Sequence, residues 1–400
     1  MVGVSTESQH VLTAYAEAKD TGTSYAQFQT AKVVAALADD LVHDPADRAL
    51  LSDARAALAS SDARFGDAER LAQASADAWQ DAGDHAEELA MRIVSLKARI
   101  DQRDHDVLEI LPLADRLEHL TTALRATNPH PRRLVGASLT SGFARLAAAH
   151  LDAADEHFAD AAKYAVDDVD RAAATGAKAL CAAHRGDSDR ARELAEASLA
   201  LARSSRDDMQ IAMMLRFLIG LHSEPEQLSL ALTYAEEATS LAGDLGDVFA
   251  ASCLRLQGLL RVAAGQVREG CLDLERALNL MRTTAYDDTI SQEVSGLLQT
   301  LVGCGRHDDA ARVAREHADV LDALEGDERA EIDIVRYTMA VRDDDFASAA
   351  RFAQSAADLM GAAHHKDAAA IYDAAADAWT LAGDVDRSAA ARQRAHDLGT

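Results

Sequence analysis

Residues 247–283, DVFAASCLRLQGLLRVAAGQVREGCLDLERALNLMRT, carry the plan of the whole chain. Asp247 opens an apolar run spaced by threes and fours, Gly265-Gln266 breaks it, and a second amphipathic run places Gly270 and Ala277 seven apart on one face. An aspartate at a helix start accepts hydrogen bonds from free backbone N–H groups and faces the positive end of the helix dipole, while glycine ends helices readily. Two small residues on one face let paired helices approach closely. The stretch therefore predicts an antiparallel helix pair with a tight turn.

The same plan repeats every forty residues. Positions 7, 47, 87 and onward hold Glu7, Asp47, Glu87, Thr127, Asp167, Asp207, Asp247, Asp287, Asp327 and Asp367, nine acids in ten. Mid-period breaks fall at Gly186-Asp187, Glu224-Pro225, Gly265-Gln266, Gly305-Arg306, Asp343-Asp344-Asp345 and Gly383-Asp384. Small residues follow them at Ala191, Ala231, Gly270, Ala310, Ala349 and Ser388, and seven residues on at Ser198, Ala238, Ala277, Ala356 and Ala395, with His317 as the exception. A fixed period of this length marks a repeat architecture. Ten helix pairs fit, near 5–43, 46–82, 85–126, 132–166, 168–204, 207–244, 247–283, 287–323, 327–362 and 367–397.

Composition agrees. The chain has 88 alanines, five prolines and 4% aromatic residues, a balance that favours helix over sheet. Its 400 residues exceed the ~250–300 that one compact core supports, so several domains or a linear array are required. The proline segment Asn128-Pro129-His130-Pro131 excludes helix and is the expected kink, separating divergent pairs in 1–127 from a regular array in 132–400 whose last helix, Ser388–Leu398, is polar enough to cap it. One similarity falls out of phase: SADAWQDAGD at 75–84 echoes AADAWTLAGD at 375–384, seven and a half periods away, which is either a half-unit slip early in the chain or, as read here because positions 7, 47 and 87 hold the main phase, two Ala-rich helix ends alike by chance.

These features resemble the tetratricopeptide repeat (TPR) family, antiparallel helix pairs stacked in a right-handed α-solenoid. The resemblance rests on a small residue seven positions before each turn (Gly142, Ala179, Gly258, Ala376), the glycine turn, and the small pair after it. The chain departs from the family in its period, about 40 rather than ~34, in lacking a closing proline, and in Ile219, Leu298 and Tyr337 at the small position. HEAT-type repeats share the longer period. Long TPR-like units of this kind resemble those of bacterial regulators and peptide-sensing receptors.

Several functions are disfavoured. The formal charge of -27 opposes nucleic-acid phosphate. The longest apolar run, Ile211–Leu221, is interrupted by Arg216 and falls short of the ~20 residues that span a bilayer. Met1–His10 has no basic start and no apolar stretch, so no secretory signal is read there. Cys181, Cys253, Cys271 and Cys304 form no CxxC and sit in apolar helical patterns as buried thiols, which fits a reducing cytoplasm. Arginine over lysine, with much Ala and Asp, suggests a GC-rich bacterial genome.

No catalytic constellation stands out. HExxH, Walker A, GxGxxG and GxSxG motifs are absent. His364-His365 reads as a solvated turn, Asp101–Asp106 lacks the glycine and closing glutamate of a calcium loop, and Asp343–Asp345 reads as a solvated cap. Trp79 and Trp379 are the only tryptophans, and Trp379 is expected in the core rather than stacked on a sugar. No metal or cofactor is expected, and no enzyme activity.

What helix pairs offer is a concave face lined by first helices, which suits a peptide or a partner helix. The TPR register implies groove-facing Ser252, Arg255, Leu259 and Val262 in the seventh pair. In the eighth it implies Gln292, Ser295, Gln299 and Val302, and in the ninth Glu331, Ile334, Thr338 and Val341. The chaperone-tail clamp needs lysines and asparagines that are missing, since the chain has only six lysines. The first-helix arginines Arg145, Arg216, Arg255, Arg261, Arg336 and Arg342 are expected to pair with neighbouring acids. The reading is a cytoplasmic, non-catalytic scaffold for a protein or peptide, with the acidic exterior favouring a cationic one. The alternative is a peptide- or ligand-sensing regulator of a separate effector, and an enzyme with carboxylates inside the superhelix comes last.

Overall fold

The computed structural model describes residues 6–102, 107–222, 225–284, 287–360 and 365–399. Among these, all regular structure is helical. Two compact units, Met1–Leu260 and Arg261–Thr400, divide the chain. In the first unit the pairs are α1 (Thr6–Thr21) with α2 (Ser24–Ala35), α3 (Pro45–Ser61) with α4 (Phe65–Ala82), and α5 (His85–Asp101) with α6 (Val107–Ala126). There follow α7 (Pro131–Ala147) with α8 (Leu151–Tyr164), α9 (Asp168–His184) with α10 (Ser188–Ser205), and α11 (Asp208–Leu221) with α12 (Leu228–Ala242). Helix α13 (Asp247–Ala263) carries the division between the units. The second unit holds α14 (Val267–Thr284), α15 (Asp287–Gly303), α16 (His307–Glu316), α17 (Ala318–Asp322), α18 (Gly326–Arg342) and α19 (Phe346–Met360), then α20 (His365–Leu381) and α21 (Val385–Gly399).

The periodic acids open the first helix of their pairs. Asp167 caps α9 by accepting from the Asp170 N–H, and Asp207 caps α11 by accepting from the Gln210 N–H. Asp47, Glu87, Asp247, Asp327 and Asp367 sit in first turns. Turns between partners close in the left-handed conformation, at Gly186 (φ 79°) and Gly265 (φ 81°), where glycine has no Cβ to clash.

The small residues do what their spacing implies. Ala191 and Ser198 of α10, Ala231 and Ala238 of α12, and Ala349 and Ala356 of α19 are all fully buried. Ser75 and Ser198 add a matching device, each donating its hydroxyl to a first-helix carbonyl, Ala49 O at 2.8 Å and Ala172 O at 2.7 Å. Gly142 shows the tolerance: a Cβ there would lie 2.3 Å from the Phe158 ring, which is itself wholly buried between α7 and α8. Gly142→Ala is expected to lose about 1–3 kcal/mol through overpacking, read as a lowered denaturation midpoint in urea. An unchanged midpoint would refute this packing.

Three features differ from the sequence reading. The second helix of the eighth pair is broken at His317, a buried residue at the position where other pairs place Ser or Ala. The larger ring occupies the close-approach site, and the backbone leaves α geometry there (φ -122°, ψ 26°). The out-of-phase echo has a physical origin: 75–84 ends the second helix α4 and 375–384 ends the first helix α20, with one shared cap. Asp84 N–H bonds to Trp79 O at 3.0 Å and Asp384 N–H to Trp379 O at 2.9 Å, across Gly83 and Gly383 at φ 78° and 81°. Helix ends look alike wherever the capping chemistry is alike.

The third difference concerns the first pair. Beyond packing on α3, helix α2 reaches α11 and the end of α12. The Ser24 N–H donates to Asp207 Oδ2 at 3.1 Å, and Gln29 Nε2 and Lys32 Nζ donate to the Asp244 carbonyl at 2.9 and 3.2 Å. The α1–α2 hairpin is thus more than another member of the row, since it bridges to pairs some two hundred residues away.

Other readings find their places. Residues 127–130 form the turn between α6 and α7 inside the first unit, and Pro131, expected outside helix, opens α7 at its first position, where proline's missing N–H has no helical partner to lose. Trp379 is buried and donates to Gln354 Oε1 at 3.4 Å, a core role. Asp343 and Asp344 lie in the α18–α19 turn, and Asp345 accepts from the Ser348 N–H at 3.1 Å as a cap. His364, residues 103–106 and the side chains of His365 and Gln292 lie outside the described residues.

Candidate functional site

The first unit holds a groove lined by its first helices. Two hollows, of about 330 and 490 Å³, adjoin at the shared residues Ser24, Leu139 and Ala173. The smaller lies between α5 (Ile93, Val94), α7 (Arg132, Arg133, Thr140) and α9 (Val169, Asp170). The larger continues past Phe143 of α7 and Gly176 and Leu180 of α9 to Met213, Arg216 and Phe217 of α11, with Leu256 of α13 beyond. Ser24 and Gln27 of α2 form part of the wall, so the N-terminal hairpin borders the groove.

The groove's polar end is an ion cluster that fixes α1 against α3, α5 and α7. Lys19 Nζ lies 2.5 Å from Asp53 and 3.2 Å from Glu87, and Arg133 lies 2.5 Å from Glu87 and 3.0 Å from Asp20. Arg132 donates to the Gly22 carbonyl at 2.5 Å, pairs with Asp167, and has Asp170 at 3.5 Å. Burial pulls the Lys19 ammonium down, but the Asp53 and Glu87 carboxylates outweigh it and leave the pKa above its ordinary 10.5. Burial pushes Glu87 up, yet Lys19 and Arg133 prevail and hold it below the ordinary 4.5. Burial raises Asp170.

These directions fix a pH window. A depressed carboxylate contributes stability that is present above its unfolded pKa and lost as pH falls through its folded one. A raised ammonium contributes below its unfolded pKa and loses that share as pH rises through its folded value. The hairpin clamp is thus expected to hold between about pH 5 and pH 10 and to weaken outside that range. Thermal unfolding against pH tests it: Glu87→Gln is expected to flatten the acid limb relative to wild type. Parallel acid limbs would remove Glu87 from the account.

The apolar end carries a different charge pattern. Of the first-helix arginines, Arg145 pairs with Asp115 at 2.8 Å and with Glu118, Arg261 with Asp273 at 2.5 Å, Arg336 with Asp322 at 2.8 Å and Arg342 with Asp308 at 2.7 Å. Arg255 is engaged as well. Arg216 departs from the expectation of pairing: its guanidinium stacks over Phe249, 5.0 Å from the ring centre, without a carboxylate partner among the described residues. Its Nε is buried and makes no hydrogen bond there. Burial, with Arg255 as a like charge nearby, lowers its pKa. Burial also pushes the neighbouring Cys253 thiol up to about 11, so that sulfur is neutral and unreactive at ordinary pH.

Of the residues anticipated from the TPR register, Leu259, Gln299, Glu331 and Val341 are exposed and Ser252, Arg255, Ser295, Ile334 and Thr338 half-buried, whereas Val262 and Val302 pack against the buried core of the second unit instead of facing a groove. Ser252, Arg255 and Leu259 stand on α13 at spacings that share a face with Leu256, the one residue of that helix that lines the larger hollow. In the second unit, Val262 is half-buried near the start of the chain segment, Ser295, Gln299 and Val302 lie on α15, and Ile334, Thr338 and Val341 on α18. Gln299 Nε2 donates to Glu331 Oε2 at 2.9 Å, tying these two helices, and Thr338 donates back to the Ile334 carbonyl at 3.0 Å. The residues lining the two hollows were not anticipated. Their signal was present in Ile211–Leu221: a run apolar on every side supplies both a packing face and an exposed one, and Met213 is 39% exposed.

A further hollow, of about 570 Å³, lies in the second unit between α19 and α21. Its arginines are all engaged: Arg394 with Asp358 at 2.7 Å, Arg387 with Asp384 at 3.4 Å and over Trp379, and Arg351 with Ser348 at 2.9 Å. Among the described residues no group of three or more His, Cys, Asp or Glu side chains converges as a metal site needs. No helix there is long and apolar enough to cross a membrane.

No protein-family model matches the chain, and no curated protein does. Solved structures match in fold. The apo form of RapI aligns at TM-score 0.55 and 10% identity over 88% of this chain and 97% of its own. The apo quorum sensor NprR from B. thuringiensis aligns at 0.50 and 13%, covering 87% and 98%. A STAND protein with a tetratricopeptide repeat sensor, PH0952 from Pyrococcus horikoshii, aligns at 0.59 and 12%, covering 82% of this chain and 52% of that one. The fold is that of TPR-like helical repeat proteins.

Proposed function

We propose that the chain is a non-catalytic, cytoplasmic binding protein that holds a protein or peptide segment against its first-helix faces. The observation that carries this reading is the pair of adjoining hollows that form the groove of the first unit, apolar along α7, α9 and α11, with exposed Phe143 and Met213 at its lip. Concave apolar surfaces with few polar groups are the usual seats of ligands. The strip of Ser295, Gln299, Ile334, Thr338 and Val341 in the second unit is proposed as an additional contact surface. A formal charge of -27 steers a cationic partner toward the protein at low salt.

A sensing role is favoured by one feature. Ser24 and Gln27 of the N-terminal hairpin line the groove, so whatever enters it touches the element that bridges to α11 and the end of α12. The names of NprR, a quorum sensor, and of PH0952, whose repeats are called a sensor, agree with this second reading.

Site-specific photocrosslinking tests the main reading. A benzophenone amino acid at Met213, in the groove, is compared with one at Glu196, exposed on the outward helix α10. Adducts with a protein or peptide from native extract are expected at position 213 and not at 196. Equal yields at both positions, or adducts only at 196, would remove the groove as the binding surface.

A further inference from the structure

The hollow around Arg216 is chemically narrower than a general peptide groove. Its walls are Phe143, Leu180, Met213, Met214, Phe217 and Leu256. A guanidinium is charged at any pH a protein meets, and one half-buried among such side chains is costly without an anion. The other arginines bordering the groove, Arg132 and Arg133, are neutralised by Asp167, Asp170, Glu87 and Asp20. In a chain with 67 acids, no carboxylate lies beside Arg216 among the described residues, and its charge is met only by the face of Phe249.

The rest of the hollow restricts the ligand's polar groups. Gln210 already donates to Ala172 O and Ser198 Oγ, both at 3.4 Å, and the Ser24 N–H is held by Asp207. Below the lip formed by the exposed Phe143 and Met213, where a protein or peptide segment would rest, backbone amides find few partners, and each buried amide without a partner is unfavourable. A ligand with one anionic head and an apolar body meets no such penalty. A volume of about 490 Å³ suits a small molecule.

We propose that this hollow binds a small apolar monocarboxylic acid, its carboxylate paired with Arg216 and its hydrocarbon body against Phe143, Met213, Met214 and Phe217. The site lies within the groove but does not depend on peptide binding elsewhere along it. Arginine meets carboxylate through paired N–H donors, a stronger contact than a neutral amide makes.

Methionine-methyl NMR of the full chain, titrated with octanoate and with octanamide, tests the proposal. Octanoate is expected to shift the Met213 and Met214 methyl signals to saturation, with octanamide weaker by at least about tenfold. Arg216→Gln is expected to lose the same preference, and Arg216→Lys to keep part of it. Equal affinity for acid and amide overturns the proposal on wild-type protein alone, whether or not the variants fold. So does the lack of a saturable shift, movement of other methionines instead, or binding of free-acid peptides where octanoate fails. The Met213 crosslink reports a protein or peptide at the lip of the groove and is read without added acid, so the failure of either proposal is distinguishable from the failure of the other.

Discussion

Lys19→Met is expected to cost about 3–5 kcal/mol, the characteristic loss when one partner of a buried ion pair is removed and the other is stranded. The ammonium is 13% exposed and lies between Asp53, 10% exposed, and Glu87, 15% exposed. Methionine fills most of the volume but leaves Asp53 without its cation and Glu87 with Arg133 alone. Tyr15, whose hydroxyl burial and Asp53 together hold well above the ordinary phenol range, stays neutral and cannot compensate. Urea denaturation of the first unit reads the loss. Adding Asp53→Asn to Lys19→Met is expected to recover part of it, since the stranded charge is then removed. A loss below about 1 kcal/mol would place the cluster among ordinary surface pairs.

Asp207→Ala is expected to cost about 2–4 kcal/mol, from two terms with separate controls. The cap on α11 contributes about 1 kcal/mol, and the Ser24 N–H left without an acceptor contributes about 1–3 kcal/mol. Asp207 is wholly buried, with one oxygen on Gln210 N–H at 3.3 Å and the other on Ser24 N–H at 3.1 Å. Asp187 caps α10 through the Arg190 N–H at 3.1 Å and carries only the first role. Hydrogen exchange separates them: amides of α2 are expected to exchange faster in Asp207→Ala and to remain unchanged in Asp187→Ala. Equal α2 protection in the two variants would dissolve the tether.

Much of the fold was legible because its determinants are local. An acid at a helix start, a glycine at a left-handed turn and an alanine at a close crossing are each read from one residue and its neighbours, as at Asp167, Gly265 and Ala191. His317 shows the converse: the sequence marks it as the odd member of its series, and the helix breaks there. The closure of the first unit was not legible. It is made by the Ser24 N–H and by the Gly22 and Asp244 carbonyls, groups that nearly any residue supplies. Glu87 held the phase of the repeat while its role, an ion cluster with Lys19 and Arg133, depends on helices far apart in sequence. Arg216 was read as an interruption of an apolar run and as one more arginine paired with neighbouring acids. That it lacks a carboxylate partner is a property of its surroundings, which no periodicity encodes.

Ala173, shared by both hollows, offers the most direct test of the claim that the first-helix groove is the seat of binding. Ala173→Trp places a large ring on its floor at a half-buried position. Titration of the partner captured through position 213 against this variant is predicted to show binding lost while the thermal midpoint stays near that of wild type. Wild-type affinity in the variant, with the ring in place, would contradict the account.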